Sequence, residues 1–321
     1  MSVTATPTAP VLTGIQTALQ PIVANIVTAL ESGNAPWVKP WGDRNTAGQL
    51  PRNYFSGRRY SGINVWALLT AGWAKGYSSP EWGTYRQWAG VGAQVRKGEK
   101  GTQVVFYSRV EAKDKNGALD ADGKPVKTSV FIAKAFTVFN LEQVDNAPPS
   151  KIAPAEPPTA NPDGRLPEAE ALWTDYLTAR SEGLTFAEGG DRAYYAPSRH
   201  HVQLPEFGAF RDAGGYYATL YHEAGHSTGS DRLLKRDDIS NDDGKAYARE
   251  ELTAELASAL CLAHLGIGGA TEAQNTVSYC AGWASRIKAD PQVFVRACSL
   301  AEKAFALITG ASAGADSNPD A

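Results

Sequence analysis

The sequence has few of the features that would cross-link a chain or hold it in a membrane. Only three of its 321 residues are cysteines, Cys261, Cys280 and Cys298, and their spacing fits neither paired disulfides nor a cysteine metal site. No run of eighteen apolar residues occurs, so no membrane span and no membrane partner are expected. Residues 1–10 lack the basic start and apolar stretch of a secretory signal peptide. These absences predict a protein of the reducing cytoplasm with buried, unpaired thiols.

Net charge is also small, at −3, but the two halves of the chain differ in sign. Residues 1–146 carry 16 Lys and Arg against 10 Asp and Glu, whereas residues 147–321 carry 15 against 24. A basic half joined to an acidic half predicts two domains with different partners. The basic half is the candidate for binding a polyanion.

A proline-rich segment lies between the two halves. Residues 147–164 contain six prolines, a composition that stays extended and solvated. We therefore predict an N-terminal domain over residues 11–146, a linker over 147–164, a second domain over 165–309 and a disordered tail over 310–321.

Hydrophobic spacing predicts both helices and strands, so the fold class is α+β with two domains. Residues 12–31 follow a helical period in which Pro21 predicts a kink or a later start. Strands are predicted at 104–107 and 129–139, as a long hairpin, and at 193–195 and 201–204. Further helices are predicted at 166–179, 216–228, 247–265 and 270–308, the last interrupted at Pro291.

The most specific motif is His-Glu-Ala-Gly-His at residues 222–226. Histidines four residues apart share one face of a helix, so His222 and His226 can bind one metal ion, and Glu223 can accept a proton from a reacting water. Zn²⁺ is the predicted ion, with another divalent metal such as Mn²⁺ as the alternative. Such a site favours peptide-bond hydrolysis, but the tyrosines available as oxyanion donors are not ranked by the sequence: Tyr216, Tyr217, Tyr221 and Tyr247.

A third ligand is expected from the helix predicted at 247–265. Glu251 and Glu255 share one face of it, next to an apolar stripe that turns the helix inward. We predict Glu251 as the third ligand, with Glu250 as its competitor, and Glu255 as acceptor of the spare ring N–H of a ligand histidine. His200 and His201, before the motif helix, are lesser candidates to face the site.

The basic half interleaves aromatic rings with cations, as single-strand binders do. Aromatic side chains would stack on bases and cations would contact the backbone in a salt-sensitive way. The candidate nucleic-acid-binding residues are Trp41, Arg52, Tyr54, Arg58, Arg59, Tyr60, Lys97 and Lys100.

The chain resembles the ArdC-type antirestriction proteins of conjugative plasmids and phages. In the N-terminal half the matching motifs are Trp37-Val38-Lys39-Pro40-Trp41, Pro51-Arg52-Asn53-Tyr54, Tyr60-Ser61-Gly62-Ile63-Asn64, Trp82-Gly83-Thr84-Tyr85 and Val95-Arg96-Lys97-Gly98-Glu99-Lys100. In the C-terminal half they are Tyr195-Ala196-Pro197, Leu204-Pro205, the segment from Tyr217 to His226, and Glu250-Glu251-Leu252-Thr253-Ala254-Glu255-Leu256. His200 departs from the family, which often has an acidic residue there.

The resemblance implies a single-stranded-DNA-binding N-terminal domain, a zincin-like metallopeptidase domain, and protection of incoming plasmid or phage DNA from restriction in the recipient cell. Three hypotheses follow. The first is an active zinc protease, tethered to DNA, that cuts an unknown protein such as a restriction enzyme. The second is a non-proteolytic DNA-binding shield whose metal site is structural or vestigial. The third is a scaffold that binds no zinc.

Overall fold

The structure, a computed structural model, describes residues 14–33, 35, 37, 50–113, 127–153, 158–240, 244–267 and 277–311. Eight α-helices occur in these ranges: α1 (Gly14–Glu31), α2 (Ile63–Lys75), α3 (Tyr85–Gly90), α4 (Pro167–Asp175), α5 (Ala213–Ser227), α6 (Gly244–Leu265), α7 (Val277–Ala289) and α8 (Pro291–Thr309). The strands in the same ranges are β1 (Arg52–Asn53), β2 (Glu81–Thr84), β3 (Gln94–Val95), β4 (Thr102–Lys113), β5 (Lys127–Asn140), β6 (Val144–Asp145), β7 (Thr185–Glu188), β8 (Tyr194–Ala196) and β9 (His201–Leu204).

The N-terminal domain is a four-stranded sheet covered by helices. Its strand order is β1-β2-β5-β4, with β1 parallel to β2 and the other pairs antiparallel. The predicted long hairpin is confirmed, because β4 pairs with β5 from Thr102 opposite Val138 to Lys113 opposite Lys127. Helix α2 is fixed to the hairpin by Asn64, which is 1% exposed and exchanges two 2.8 Å hydrogen bonds with the backbone of Val105.

Part of the predicted linker packs against this domain. The hydroxyl of Tyr54 donates to the carbonyl of Pro149 (3.1 Å), and Lys151 Nζ donates to the carbonyl of Tyr54 (2.8 Å). Ser150 donates to the Glu81 carboxylate at 2.6 Å. The boundaries at residues 147 and 164 stay predictions, and the predicted tail lies outside the described residues from 312 onward.

The C-terminal domain is mainly helical and carries one small sheet. Strand β9 lies between β7, which is parallel to it, and β8, which is antiparallel. Helices α5 and α6 pack against each other, and α6 also packs on α8. The predicted break at Pro291 is confirmed, since Pro291 is the first residue of α8 and Asp290 caps that helix. All three cysteines are buried and free.

The two domains share a continuous apolar core. Helix α1 from the N-terminal domain packs against α7, and α2 packs against α8. Helix α1 runs through Pro21 and starts at Gly14. Among the described residues, no helix combines the length and apolar character needed to cross a membrane.

Candidate metal centre and nucleic-acid surface

Helix α5 presents the His-Glu-Ala-Gly-His motif from a firmly anchored position. Asp212 caps the helix by accepting a hydrogen bond from the backbone N–H of Gly215 (2.8 Å). The buried hydroxyl of Tyr221 donates to the carbonyl of Ala169 (2.8 Å), which ties α5 to α4. These two hydrogen bonds fix the orientation of the helix that carries both histidines.

Helix α6 approaches α5 closely beside the motif. A Cβ added to Gly225 would lie 3.0 Å from the Cα of Ala254 and 3.2 Å from its carbonyl oxygen. Ser258, one turn farther along α6, donates to the carbonyl of Ala218 (2.8 Å). Because glycine leaves room for this approach, side chains of α6 can reach the histidines of α5.

Three potential ligands converge between the two helices: His222, His226 and Glu251. Their ligand atoms all lie within 4.8 Å of one another. The Nε2 atoms of the two histidines are 3.1 Å apart. Glu251 Oε1 lies 3.4 Å from Nε2 of His226, and Glu251 Oε2 lies 3.7 Å from Nε2 of His222. In a tetrahedral zinc site with bonds of about 2.0–2.2 Å, ligands are about 3.3–3.6 Å apart. The arrangement thus fits a divalent cation.

Glu250 lies on the other side of the His226 ring and binds a buried arginine. Its Oε1 is 3.1 Å from Nδ1 of His226. Arg236 donates to both of its carboxylate oxygens, at 2.8 and 2.6 Å. Burial alone would raise the pKa of Glu250, but the hydrogen bonds from Arg236 and His226 lower it to about 2.

The structure corrects the role predicted for Glu255. Its carboxylate lies one turn beyond Glu251 and accepts a hydrogen bond from the hydroxyl of Tyr279, which itself accepts one from Trp37 Nε1 at 3.2 Å. The carboxylate found at the spare ring nitrogen of His226 is instead that of Glu250, 3.1 Å from Nδ1. Glu250 occupies the place predicted for Glu255.

The charges around the two histidines affect them in opposite directions. Burial, together with the neighbouring His226, lowers the pKa of His222 to about 3. Burial would lower the pKa of His226 as well, but hydrogen bonds with Glu250 and Glu251 raise it to about 9. The carboxylates of Glu250 and Glu251 thus favour positive charge beside His226, and they would favour a bound metal cation for the same reason.

Glu223 is placed between the histidines and strand β8. It is 7% exposed, and burial raises the pKa of its carboxyl group. The backbone N–H of Tyr195 in β8 donates a hydrogen bond to the carboxylate. A carboxylate held in this way is suited to accept and release a proton.

Of the four candidate tyrosines, only Tyr247 lies at the surface of the site. Tyr216, Tyr217 and Tyr221 are at most 1% exposed, and their hydroxyls bind Glu188, Glu170 and the carbonyl of Ala169, respectively. The side chain of Tyr247 is 61% exposed and lines a cavity of about 320 Å³ with Glu251. The negative charge of Glu251, ahead of partial burial, raises the pKa of Tyr247.

His200 and His201 do not join the candidate ligands. His200 is 3% exposed; its Nε2 lies 2.7 Å from the carbonyl of Ser181 and its Nδ1 lies 2.8 Å from the hydroxyl of Tyr195. His201 contacts the hydroxyl of Thr185 at 2.8 Å. Both histidines hold the strands of the small sheet in place.

The structure also corrects the two tyrosines predicted to stack on bases. Tyr54 is 6% exposed and packs against Phe55 and Trp88, with ring centroids 5.1 Å apart in each pair. Tyr60 is 3% exposed and packs near Phe106. Their ring faces are thus part of the core and are not available to DNA. Trp41 lies outside the described residues.

The predicted cations divide into exposed and engaged groups. Arg58, Lys97 and Lys100 are exposed. Arg52 is half-buried, and Arg59 forms a 2.8 Å ion pair with Glu302 of the C-terminal domain. Arg58, Lys97 and Lys100 are therefore the members of the predicted set best placed to contact a phosphate backbone.

An exposed aromatic side chain was not among the predicted residues. Tyr85 is 49% exposed at the start of α3, and its hydroxyl accepts a hydrogen bond from Gln94 at 2.9 Å. Gln94 belongs to β3, which leads directly to Lys97. The sequence offered one signal, because Thr84 and Gln87 form a capping box that predicts a helix start at Tyr85.

Comparisons with known proteins match both domains. Residues 16–139 match the family described as the N-terminal domain of anti-restriction factor ArdC, and residues 174–300 match the zincin-like metallopeptidase family. The crystal structure of the metal-free antirestriction protein ArdC from the R388 plasmid has a TM-score of 0.72 and 33% identity, covering 90% of this chain and 95% of that one. The chain belongs to the ArdC antirestriction family. Its predicted α+β class and its resemblance are confirmed, and the zincin-like domain implies a metal.

Other relatives extend the family. The Mn(II)-bound structure of the R388 ArdC protein has a TM-score of 0.70 and 32% identity, covering 91% of this chain and 97% of that one. The uncharacterized protein y4eC of Sinorhizobium fredii is 37% identical over 283 residues, or 88% of each chain. The DNA primase TraC of Escherichia coli is 40% identical over 291 residues. This match covers 88% of the present chain but spans only 19% of the primase.

Proposed function

We propose that this ArdC-family protein binds single-stranded DNA through its N-terminal domain and hydrolyses a protein target through a zinc site in its C-terminal domain. Incoming plasmid or phage DNA would thereby be protected from restriction in the cytoplasm of the recipient cell. The observation that carries the proposal is the convergence of His222, His226 and Glu251 beside the buried carboxyl group of Glu223.

The donor set supports Zn²⁺ as the ion, held by His222, His226 and Glu251. Two imidazoles with one carboxylate are a ligand set of catalytic zinc, and the separations of 3.1 to 3.7 Å agree with its tetrahedral geometry. The R388 relative has a Mn(II)-bound structure, so Mn²⁺ is the alternative. When bound, the ion supplies Lewis-acid polarisation to the reacting water and to the scissile carbonyl.

Two further side chains are assigned to the chemistry. Glu223 accepts a proton from the attacking water and passes it to the leaving amine, a role that fits its burial and raised pKa. Tyr247 donates its phenolic proton in a hydrogen bond to the substrate carbonyl oxygen as negative charge develops there. Its exposure supports this role; its hydroxyl donates to the Glu251 carboxylate in the structure and would exchange that bond for one to the substrate.

The N-terminal domain would bind single-stranded DNA through exposed cations and one exposed ring. Arg58, Lys97 and Lys100 would contact phosphates, and the face of Tyr85 would stack on a base. Such binding needs no sequence-specific contact, as suits a protein that acts on any incoming strand.

A transfer assay into a restricting host tests the peptidase part of the proposal. We expect Glu223→Gln to abolish hydrolysis of casein or of a purified restriction enzyme and to reduce protection of the transferred plasmid. Glu206→Gln, an exposed glutamate of the same domain, is the matched control and should behave as wild type. Full protection by Glu223→Gln would instead support the DNA-binding shield, which needs no proteolysis.

Titration of single-stranded DNA at several salt concentrations tests the DNA-binding part. Replacing Arg58, Lys97 and Lys100 together by glutamine removes three phosphate contacts, so the slope of log affinity against log salt should fall by about 2. Arg232, Arg296 and Lys303 are exposed cations of the C-terminal domain, and their replacement makes the same change in net charge. Equal loss of affinity in both triple variants would contradict the assignment.

A further inference from the structure

Arg236 is buried between the end of α5 and helix α6. Its side chain is 3% exposed. Besides Glu250, its guanidinium donates to the hydroxyl of Thr228 (2.7 Å) and to the carbonyl of Gly225 (2.7 Å). A Cβ at Gly229 would lie 2.7 Å from Nη2 of Arg236, so the chain leaves space for this group. The planar guanidinium thus fixes the last turn of α5 relative to α6.

Glu250 transmits this restraint to His226. Its side chain is 4% exposed, and its Oε1 contacts both Nη2 of Arg236 (2.6 Å) and Nδ1 of His226 (3.1 Å). Because an ionised carboxylate only accepts hydrogen bonds, the N–H of His226 is on Nδ1 and points at Glu250. Nε2 is then the ring nitrogen left to bind a metal ion once it gives up its proton, and it lies beside His222 and Glu251, where the candidate ligand atoms converge.

We propose that Arg236 and Glu250 are positioning residues for metal binding, which fix the tautomer and the ring rotation of His226. The inference rests on the proposed metal site, but neither residue is among the candidate ligands. Arg236 orients Glu250, Glu250 orients His226, and His226 presents Nε2 toward the other candidate ligands. The carboxylate partner of a ligand histidine is also known to strengthen the histidine as a ligand.

The choice of arginine is part of the inference. Arg236 contacts both carboxylate oxygens of Glu250, a hydroxyl and a carbonyl at once, which requires several N–H groups in one plane. A lysine ammonium carries the same charge but cannot reproduce these directions. Arg236→Lys therefore keeps a positive charge beside Glu250 but loses the hydrogen bonds that orient it, so the variant tests the effect of orientation alone.

The test is metal affinity of the folded full-length chain. We expect Glu250→Gln to raise the Kd for Zn²⁺, measured by chelator competition, about 10- to 100-fold. Arg236→Lys should raise it in the same direction. With Co²⁺ as a spectroscopic probe, both variants should change the visible absorption spectrum, since the orientation of one ligand ring is altered.

Glu255→Gln is the matched control, because it removes a carboxylate of the same helix that contacts Tyr279 instead of a ligand histidine. It should leave the Kd for Zn²⁺ and the Co²⁺ spectrum unchanged. A loss equal to that of Glu250→Gln would overturn the proposal.

A merely structural role predicts a different pattern. Glu250→Gln and Arg236→Lys would then lower the Tm of the metal-free chain while the Kd for Zn²⁺ and the Co²⁺ spectrum stayed as in wild type, which would overturn the proposal. If Glu250→Gln does not fold, Arg236→Lys decides by the same two measurements. A wild-type chain that binds neither ion contradicts both this inference and the zinc site, whereas one that binds Zn²⁺ but cleaves no protein contradicts only the peptidase function.

Discussion

Three glutamates within six residues of α6 have three different partners. Glu251 faces the Nε2 atoms of both histidines, Glu250 faces Nδ1 of His226, and Glu255 accepts from Tyr279. Adjacent helix residues point about 100° apart, so Glu250 and Glu251 can reach opposite sides of one imidazole. The geometry of the helix therefore decides which of these glutamates contacts which partner.

At this same scale, Tyr247→Phe tests the proposed oxyanion donor. Loss of one such donor lowers kcat about 100- to 1,000-fold, so we expect that fall with little change in KM. Zinc content should be measured alongside, because Tyr247 lies against Glu251. Tyr77→Phe is the control, because the ring of Tyr77 packs near Trp82 in the N-terminal domain, and this variant should keep wild-type kinetics. An unchanged kcat in Tyr247→Phe would remove Tyr247 from the mechanism.

At the scale of elements, the site depends on how closely α5 and α6 pack. Gly225 lies inside the motif, and its missing side chain brings it against Ala254 of α6. The same approach lets Glu251 and Glu250 reach His226 from the neighbouring helix. The candidate metal ligands thus lie at the interface between α5 and α6. A wider interface should therefore move the ligands apart.

Gly225→Ala tests this coupling. The added methyl group would lie 3.0 Å from backbone of α6, so the helices must separate, and we expect a loss of about 1–3 kcal/mol in the free energy of unfolding. Zn²⁺ affinity should fall as well. Gly282→Ala is the control, because nothing lies within 4 Å of the added methyl and the helix should gain up to about 1 kcal/mol. Chemical denaturation measures the free energy of unfolding, and chelator competition measures the affinity for Zn²⁺. Unchanged Zn²⁺ affinity in Gly225→Ala would contradict the coupling, because the ligands would then tolerate a wider interface.

At the scale of the whole molecule, the basic and acidic domains are joined by specific contacts as well as by a shared core. Arg59, from the N-terminal domain, pairs with Glu302 of α8 at 2.8 Å and lies over the ring of Phe305, 4.6 Å from its centroid. Trp37 reaches Tyr279, which in turn contacts Glu255 beside the candidate metal centre. The N-terminal and C-terminal domains are therefore held together by specific side-chain contacts as well as by the core.

Arg59→Gln and Arg58→Gln should affect different properties, the first the stability of the protein and the second its affinity for single-stranded DNA. The first leaves the buried carboxylate of Glu302 without Arg59, so we expect a loss of about 1–3 kcal/mol in the free energy of unfolding. The second removes an exposed cation, so stability should change by less than about 0.5 kcal/mol while affinity for single-stranded DNA falls. Urea denaturation and DNA titration of both variants check this assignment; equal stability of the two variants would contradict it.

By itself, the sequence determined the features that depend on neighbouring residues. The i, i+4 spacing of His222 and His226, the hairpin of β4 and β5 and the start of α8 at Pro291 follow from local periodicity and turn chemistry. Only the tertiary structure decided which carboxylate contacts Nδ1 of His226, which rings of the basic domain are exposed, and that Arg59 binds a residue 243 positions away. The local sequence pattern determines which face of its own helix or strand a side chain lies on. Its burial and its partners depend on other elements that pack against it, and these elements are distant in the sequence.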